Sequence, residues 1–313
     1  MGVRPKLMSS RLTVDIAGLK LPNPTMLAAG ILGLSPESLL EAAENGAGAV
    51  VTKSVGLKSR VGYANPAVVQ VDGGLLNAIG LANPGADYFA EEIRGLKKRK
   101  LGVPLIASVF GFSTEEFAQA AEILAKAGAD AVELNVSCPH VEKTGSEIGQ
   151  DPVLVREVVR AVKTAVEKPV VVKLTPNVAD VVEIAEAAVK AGADAVAAIN
   201  TLRGMAIDVE TAQPILANKI GGLSGSAVKP VAVRCVYEIY EAVKVPVIGC
   251  GGVSDWRDAV EFMLAGASAV QVGTAIASEG LGVFESITKG VDAYVRKRGL
   301  RSVRDIVGLS HRR

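Results

Sequence analysis

Residues 169–200 begin with Pro169-Val-Val-Val-Lys-Leu and end with Gly192-Ala-Asp-Ala-Val-Ala-Ala-Ile-Asn200, and they reveal how the chain is built. Neither apolar run alternates with polar residues, which is typical of strands covered on both faces. The glycine that opens the second run can end a helix in the left-handed conformation. The stretch therefore predicts a strand, a helix and a second, parallel strand.

The same two signals occur four times each and alternate along the chain, which indicates an internal repeat. A proline opens a short apolar run at Pro24, Pro104, Pro169 and Pro246, and a Gly-Ala-x-Ala-Val run starts at Gly46, Gly128, Gly192 and Gly266. The spacing from each proline to the next glycine is 22, 24, 23 and 20 residues, enough for one helix and two turns. Eight parallel strands with intervening helices predict an α/β fold, the (β/α)8 TIM barrel, with an open doubly wound sheet as the alternative.

Two further patterns complete the predicted architecture. Thr114–Ala127 has the spacing of an amphipathic helix, with its apolar residues on one face. Residues 12–16 and Leu19–Leu21 flank Ala17-Gly18 and predict an N-terminal β-hairpin, which we expect at the bottom of the barrel. A chain of 313 residues has room for one domain or two, and barrels of this size are commonly one domain, which we expect over residues 1–313.

The composition excludes several classes of function. Lysine and arginine number 34 against 33 acidic residues, so the basic excess that binding to a nucleic-acid backbone requires is missing. No apolar run reaches the ~20 residues of a membrane span, and residues 1–10 lack the apolar core of a signal peptide. Cys138, Cys235 and Cys250 are too few for a disulfide framework. We therefore expect a cytoplasmic protein that binds neither nucleic acid nor membrane.

Polar side chains gather where the predicted strands end, at Ala29-Gly30, Lys53-Ser54, Ala107-Ser108, Asn135, Lys173, Asn200-Thr201, Gly251-Gly252 and Gly273-Thr274. Barrels of this kind carry their chemistry beyond the carboxyl ends of the strands, in loops that are free of core packing. A single lysine there could simply cap a strand and reach solvent. Two lysines and two asparagines converging on one small mouth favour a binding site.

Three segments on the same face are long, residues 54–86, 136–151 and 202–229, as expected of lids or substrate contacts. The first contains Leu76-Asn-Ala-Ile-Gly-Leu-Ala-Asn-Pro-Gly85, which by itself is also typical of an ordinary turn. Gly251-Gly252 and Gly273-Thr274 follow the last two strands, where this fold commonly holds a phosphate. We therefore expect a phosphorylated ligand. The chain has no dinucleotide fingerprint and no P-loop.

Cys138 lies in Asn135-Val-Ser-Cys-Pro-His140, in a polar loop three residues beyond a predicted strand end. A free thiol is most often a buried apolar group, which suits Cys235 in a helical run and Cys250 in a strand. Beside a cation, a thiol with an ordinary pKa of about 8.5 can accept a proton at neutral pH, so Cys138 is a candidate base. Two histidines and no spaced cysteine pairs predict no metal site.

Seven motifs are spread over nearly the whole chain: Thr52-Lys53-Ser54, Asn77-Ala-Ile-Gly-Leu81, Glu133-Leu-Asn-Val-Ser-Cys-Pro139, Val172-Lys-Leu-Thr-Pro-Asn177, Ile199-Asn-Thr201, Gln213-Pro-Ile-Leu-Ala-Asn218 and Gly221-Gly-Leu-Ser-Gly225. Together they resemble the catalytic subunit of class 1B dihydroorotate dehydrogenases. The resemblance implies an FMN-binding barrel that oxidises dihydroorotate to orotate, the redox step of pyrimidine (UMP) biosynthesis. It also implies the roles of individual residues.

In that family pattern Cys138 is the base that removes the C5 proton while a hydride leaves C6 for the flavin. The implied substrate contacts are Lys53, Asn77, Ala78, Ile79, Gly80, Leu81, Asn135, Asn200 and Thr201. The implied FMN contacts are Ala29, Lys53, Ser54, Ser108, Asn135, Lys173, Ile199, Gly225, Gly251, Gly252, Gly273 and Thr274, with the last four near the ribityl phosphate. Many relatives carry asparagine where this chain has Ser108.

The resemblance also bears on the electron acceptor. The cysteine base and the Asn-Thr pair at Asn200 are similar to class 1B rather than to the serine-using membrane-bound class or the fumarate-using class 1A. Class 1B implies a partner subunit that carries FAD and a 2Fe–2S cluster and passes electrons to NAD+, around a homodimer core of a heterotetramer.

Other functions are also consistent with these residues. A fumarate-linked class 1A-type enzyme and a dihydropyrimidine dehydrogenase-like activity are the near alternatives. A Schiff-base lyase acting on a phosphorylated substrate would use Lys53 or Lys173 as its nucleophile. A barrel that binds a metabolite without catalysis is a further alternative.

Overall fold

A computed structural model of the chain describes residues 10–137 and 148–312. The strands in these residues are β1 Val14–Ile16, β2 Leu19–Leu21, β3 Thr25–Leu27, β4 Ala49–Val51, β5 Val68–Val71, β6 Gly74–Asn77, β7 Leu105–Val109, β8 Ala131–Asn135, β9 Val170–Leu174, β10 Ala195–Ala198, β11 Leu202–Met205, β12 Ile207–Asp208, β13 Gln213–Pro214, β14 Ile220–Ser224, β15 Val247–Cys250 and β16 Ala267–Val272. The α-helices are α1 Pro36–Glu44, α2 Ala86–Lys98, α3 Thr114–Ala127, α4 Pro152–Ala165, α5 Val181–Lys190, α6 Lys229–Ala242, α7 Trp256–Leu264, α8 Ala275–Glu279 and α9 Val283–Lys297. None of them combines the length and the apolar composition needed to cross a bilayer.

Eight parallel strands close into a barrel in the order β10-β15-β16-β3-β4-β7-β8-β9. The four proline-led runs form β3, β7, β9 and β15, and the four glycine-led runs form β4, β8, β10 and β16. Each strand hydrogen-bonds on both sides to strands of the other set, so the two sets alternate around the whole ring. The predicted (β/α)8 barrel is therefore confirmed, and the alternative of an open doubly wound sheet is wrong.

Helix α3 shows how the local sequence places a helix against the barrel. Ser113 begins it by accepting a hydrogen bond from the Glu116 amide, and Gly128 ends it with a positive φ of 116°. Its apolar face, Phe117 among others, is fully buried. The conformation at Gly128 is one that a side chain rarely adopts, so this glycine stops the helix one turn before β8 begins.

The repeat also carries an electrostatic clamp at the bottom of the barrel. Asp130 accepts hydrogen bonds from Lys97 on α2, at 2.7 Å, and from the Leu105 amide at the start of β7, at 2.8 Å. Asp194 makes the same pair of contacts with Lys163 on α4, at 2.8 Å, and with the Val170 amide, at 2.7 Å. Each carboxylate thus ties a helix to the first amide of a strand that would otherwise lack a partner.

The predicted N-terminal hairpin is present as β1 and β2, which pair antiparallel across Ala17-Gly18. Its apolar side chains Ile16 and Leu21 are fully buried in the main core. Gly18 borders the same surface pocket as the residues that lead into β7, which places the hairpin at the amino-terminal end of the barrel strands.

The long segments over the carboxyl-terminal face are more ordered than the sequence predicts. Residues 54–86 and 202–229 contribute the strands of a four-stranded sheet in the order β11-β14-β6-β5. Strand β14 pairs antiparallel with β6, so Gly222 lies opposite Asn77. Strands β6 and β14 pair across about 145 residues of chain, and no local pattern predicts that pairing. The hairpin of β5 and β6 does carry a local signal, the Asp72-Gly73 turn between them.

The Asp194 clamp generates a stability prediction. Replacing Asp194 with alanine leaves the Val170 amide and the Lys163 ammonium without their shared acceptor, and we expect the free energy of unfolding to fall by about 2 kcal/mol. Chemical denaturation measures it. The matched control is Glu122→Ala, which removes an exposed pair with Lys126 on α3 and should cost less than about 0.5 kcal/mol. Equal losses in the two variants would contradict the clamp.

Candidate active site

A hydrogen-bonded row of polar side chains crosses the mouth of the barrel. The Ser54 hydroxyl lies 2.9 Å from the Ser108 hydroxyl and accepts a hydrogen bond from the Asn135 amide at 3.0 Å. The Asn200 amide in turn donates to the Asn135 oxygen at 3.1 Å. Residues that follow or end β4, β8 and β10 thus meet, as the strand-end pattern predicts. Ser108 differs: it lies inside β7 rather than at its end and is fully buried.

Lys53 directly precedes Ser54 of this row in the sequence. It follows β4 by two residues and is partly buried, and burial lowers the pKa of its ammonium. No hydrogen bond or ion pair joins that ammonium to any residue the structure describes. A half-buried ammonium without a counter-ion favours an anionic ligand, because a bound anion would offset the cost of its burial.

Lys173 is placed differently from Lys53, and from the position that the sequence predicts. It lies one residue before the end of β9, with its side chain turned into the barrel and 5% exposed. Its ammonium donates to Gln271 and to the Cys250 sulfur at 3.5 Å. Burial acts to lower the pKa of Lys173, but its interactions with Cys250 and Glu133 outweigh burial, and the net direction is upward.

Asn77 reaches the mouth through the four-stranded sheet. It ends β6, and its amide donates to the Gly222 carbonyl at 3.2 Å. A Cβ atom on Gly222 would lie 2.1 Å from the Thr201 hydroxyl, so Thr201 packs directly on the backbone opposite Asn77. The segment that follows, with Ala78, Ile79, Gly80 and Leu81, is tied down where the Tyr63 amide donates to the Ile79 carbonyl at 3.1 Å. The structure therefore brings Asn77 toward the Asn200-Thr201 pair.

Two of the predicted phosphate contacts, Gly252 and Thr274, meet Gly225 in a corner made almost entirely of glycine. A Cβ atom on Gly252 would lie 2.8 Å from the Gly225 carbonyl, and one on Gly225 would lie 2.5 Å from the Gly74 Cα. The Thr274 hydroxyl donates to the Ser224 hydroxyl at 2.8 Å, which brings the end of β16 to the same place. The backbones approach this closely because no side chain intervenes.

The charges around the glycine corner are already neutralised. Lys229, which begins α6 and packs against Gly252, is paired with Asp258 at 2.7 Å and Glu261 at 2.8 Å. These hydrogen bonds raise the pKa of its ammonium. A phosphate here would therefore be held by backbone amides and the Thr274 hydroxyl rather than by this lysine.

The remaining predicted FMN contacts lie around the same opening. A Cβ atom on Gly273 would meet only Ala28, at 3.4 Å, and one on Gly251 would lie 3.3 Å from Ile199. Ala29 bridges to Leu32 beyond the end of β3. A glycine corner for a phosphate, a buried cation in the wall and a row of amide and hydroxyl groups fit the chemistry of FMN.

Cys138 lies outside the described residues. The described residues that flank its segment, Val136 and Gly149, are joined by a hydrogen bond of 2.9 Å from the Gly149 amide. Val136 directly follows Asn135 of the polar row. In the described ranges, no group of three or more histidine, cysteine or acidic side chains is placed to hold a metal ion.

Sequence reasoning missed several residues that the structure places at the site. Gln271 donates to the Glu133 carboxylate at 2.6 Å, and Asn177 donates to the Thr201 carbonyl at 3.0 Å. The signal for the first pair was present, because Glu133 and Gln271 are polar residues in the middle of apolar parallel strands, where burial demands a partner. Cys250 lies in β15, as the sequence suggests, and its sulfur also accepts a hydrogen bond from Lys173 at 3.5 Å.

The chain is similar to known proteins over most of its length. A family model described as dihydroorotate dehydrogenase matches residues 11–295. Among similar curated proteins are three described as "Dihydroorotate dehydrogenase B (NAD(+)), catalytic subunit". The one from Methanosarcina acetivorans is 53% identical over 298 residues, or 95% of each chain. The one from Pyrococcus abyssi is 52% identical over 96% of this chain and 99% of the relative, and the one from Methanothermobacter thermautotrophicus is 54% identical over 96% and 98%.

The glycine corner yields a prediction of its own. Gly225 has a φ of 106°, and an added Cβ would strike the Gly74 backbone, so Gly225→Ala should cost at least about 2 kcal/mol of folding free energy. Gly282→Ala is the matched control, because Gly282 has a φ of −59° and nothing within 4 Å of the new methyl group. Chemical denaturation of both variants tests this. A Gly225→Ala protein as stable as Gly282→Ala would refute the close approach.

Proposed function

The chain belongs to the dihydroorotate dehydrogenase family, and we propose that it oxidises (S)-dihydroorotate to orotate in de novo pyrimidine biosynthesis, with FMN as its flavin. The observation that carries the proposal is the polar row of Ser54, Asn135 and Asn200 beside the Lys53 ammonium, which has no partner among the described residues. A ring that carries alternating N–H and C=O groups and one carboxylate, as dihydroorotate does, offers the complement of that set.

The substrate would be held by amides and one cation. A carboxamide both donates and accepts, so Asn77, Asn135 and Asn200 suit the alternating edges of the dihydroorotate ring. The Thr201 hydroxyl would add one contact, and residues 78–81 would cover the ring. Lys53, which has no ion-pair partner in the part of the chain that the structure describes, would balance the substrate carboxylate and touch the flavin as well.

The flavin would occupy the wall between the polar row and the glycine corner. When bound, FMN supplies the acceptor for the two electrons that leave C6 as hydride. Gly225, Gly251, Gly252, Gly273 and Thr274 would hold the phosphate end. Ala29, Ser54 and Ile199 would line the ring, and Lys173 would present a cation to it. Buried Ser108 would act through its hydrogen bond to Ser54 rather than by direct contact.

Cys138 would supply the base. Oxidation of the C5–C6 bond removes a proton from C5 and a hydride from C6, so the chain must provide a proton acceptor. A thiol is suited to this at neutral pH when a cation stabilises its anion. Cys235 does not compete for the role, because it is fully buried in α6 and burial raises the pKa of its thiol.

The electron acceptor follows from the relatives. They are described as the catalytic subunit of an NAD+-linked enzyme, and that description implies a separate partner subunit. We propose that the partner carries FAD and a 2Fe–2S cluster and that a homodimer of this chain forms the core of a heterotetramer. Cys235 and Cys250 are free thiols, which agrees with a cytoplasmic location.

The Schiff-base alternative is weakened for Lys173, whose raised pKa keeps it protonated and non-nucleophilic.

Anaerobic titration tests the proposed function directly. The purified chain should bind FMN, appear yellow and lose its absorbance near the flavin maximum on addition of one equivalent of dihydroorotate. Dihydrouracil should leave the spectrum unchanged. Reoxidation of the flavin by NAD+ should require the partner subunit, and fumarate should not substitute for NAD+ as the electron acceptor. Bleaching by dihydrouracil, or a protein that cannot be loaded with FMN, would refute the proposal.

Cys138→Ser tests the base. An alcohol is a much poorer proton acceptor than a thiol, so flavin reduction by dihydroorotate should slow by at least about a hundredfold near neutral pH. The loss should shrink as the pH rises. Stopped-flow absorbance measures the rate, and Cys235→Ala serves as the control with an unchanged rate. A uniform loss at every pH would count against proton removal by Cys138.

Lys53 gives a pH dependence with a defined sign. Because burial lowers its pKa, the ammonium loses its proton at a lower pH than an exposed lysine, and its attraction to the substrate carboxylate is lost as the pH rises through that value. The KM for dihydroorotate should therefore rise on the alkaline side. Lys53→Arg keeps its charge and should abolish the rise, whereas Lys53→Met should raise KM at every pH. An alkaline rise that persists in Lys53→Arg would assign it to another group.

A further inference from the structure

Inside the barrel, beneath the polar row, a carboxylate and an ammonium are linked through one amide. Gln271 accepts a hydrogen bond from the Lys173 ammonium through its oxygen and donates to Glu133 through its nitrogen, at 2.6 Å. Glu133 and Gln271 are each 1% exposed. The strands that carry them, β8 and β16, lie four places apart in the eight-stranded ring. The contact therefore joins opposite walls of the barrel.

The position of this linkage relates it to the mouth. In the pairing of β8 with β9, Lys173 lies opposite Asn135, which belongs to the polar row. Glu133 precedes Asn135 by two residues on the same strand, so its side chain leaves the strand on the same, inward side. Lys173 is thus level with the polar row, and Glu133 lies one layer deeper in the barrel.

Stability does not account for a buried charge pair at this place. Taking two charges out of water costs more than their attraction returns in many proteins, and apolar replacements of similar size are often neutral or stabilising. The Glu133 oxygen Oε1 is buried and has no hydrogen-bond partner among the described residues, which adds to that cost. Because this arrangement costs folding free energy, we expect the charge that it maintains, the Lys173 ammonium, to have a function.

We propose that Glu133 is a positioning residue that acts through Gln271 to keep the Lys173 ammonium charged and aimed at one place beneath the mouth. The Gln271 amide can serve both neighbours only in one orientation, oxygen toward Lys173 and nitrogen toward Glu133. In that orientation the Gln271 oxygen holds the Lys173 side chain in one rotamer. The inference rests on the proposed function, because the flavin ring is the group that this cation would stabilise electrostatically.

Among the described residues, the titratable groups that face Lys173 are Glu133 from β8 and Cys250 from β15. Strand β16 contributes the neutral Gln271, and β10 contributes only alanine and valine. Glu133 is thus the carboxylate that offsets the Lys173 charge in this layer. Without it, a buried lysine would release its proton at a lower pH.

Four proteins test the proposal: the wild type, Glu133→Gln, Lys173→Met and the double variant, all loaded with FMN. The probe is sulfite, which adds reversibly to bound flavins and leaves negative charge on the ring, so its dissociation constant reports positive charge nearby. At about pH 9, Glu133→Gln should bind sulfite at least about tenfold more weakly than the wild type, and at about pH 6 no more weakly. Lys173→Met should bind it weakly at both pH values.

The double variant separates coupling from a general effect. If Glu133 acts through Lys173, adding Glu133→Gln to Lys173→Met should cause no further loss of sulfite affinity. Glu122→Gln on the outer face of α3 is the matched control and should leave the sulfite affinity unchanged. The proposal would be overturned if the ratio of the sulfite dissociation constants of Glu133→Gln and the wild type did not vary with pH. It would also be overturned if Glu133→Gln lowered the sulfite affinity as much in the Lys173→Met background as in the wild type.

Thermal unfolding of the flavin-free proteins provides a second arm, which needs no cofactor. Lys173→Met leaves the Glu133 charge buried without its cation and should lower the unfolding temperature, and adding Glu133→Gln should recover part of the loss. This arm decides the matter if Glu133→Gln alone does not fold. A double variant no more stable than Lys173→Met would overturn the proposal. Failure of the wild type to take up FMN would instead refute the proposed function.

Discussion

Closure of the barrel depends on hydrogen bonds between strands that are remote in sequence, and this closure constrains every other feature of the molecule. Strand β10 pairs with β9 on one side and β15 on the other, and β16 pairs with β3 from the start of the chain. Once the ring is closed, its interior is sealed from water. Each side chain that points inward must then be apolar or must find a partner across the barrel.

The two ends of the barrel meet this constraint in different ways. At the bottom, Asp130 and Asp194 satisfy the first amides of β7 and β9 and hold the preceding helices, so charge there serves stability. At the mouth, Ser54, Asn135 and Asn200 satisfy one another, while the Lys53 ammonium has no partner among the described residues. The separation is expected of this fold, because the loops that follow the strands are free of the packing that fixes the other end.

The interior between the two ends carries the linkage from Glu133 through Gln271 to Lys173. The two lysines of the site consequently differ in character. Burial without a counter-ion lowers the pKa of Lys53, whereas the pKa of Lys173 is raised because neighbouring groups outweigh its burial. Lys53 is therefore suited to pair with a ligand that binds and dissociates, and Lys173 is suited to provide a constant charge.

The sequence by itself determined the barrel, because proline-led and glycine-led apolar runs are local signals that each specify a strand or the end of a helix. It also indicated that the strand ends at Lys53-Ser54, Asn135 and Asn200 come together, since parallel strands of a barrel end at one face, and Ser54, Asn135 and Asn200 are hydrogen-bonded in the structure. Only the tertiary structure decided that Asn77 and Thr201 both pack against Gly222, in a sheet built from two distant loops, and that Lys173 lies inside the wall with Glu133 beneath it. Those contacts join residues about 100 to 150 positions apart, and their existence depends on the strand register of the closed ring, which no local pattern of residues encodes.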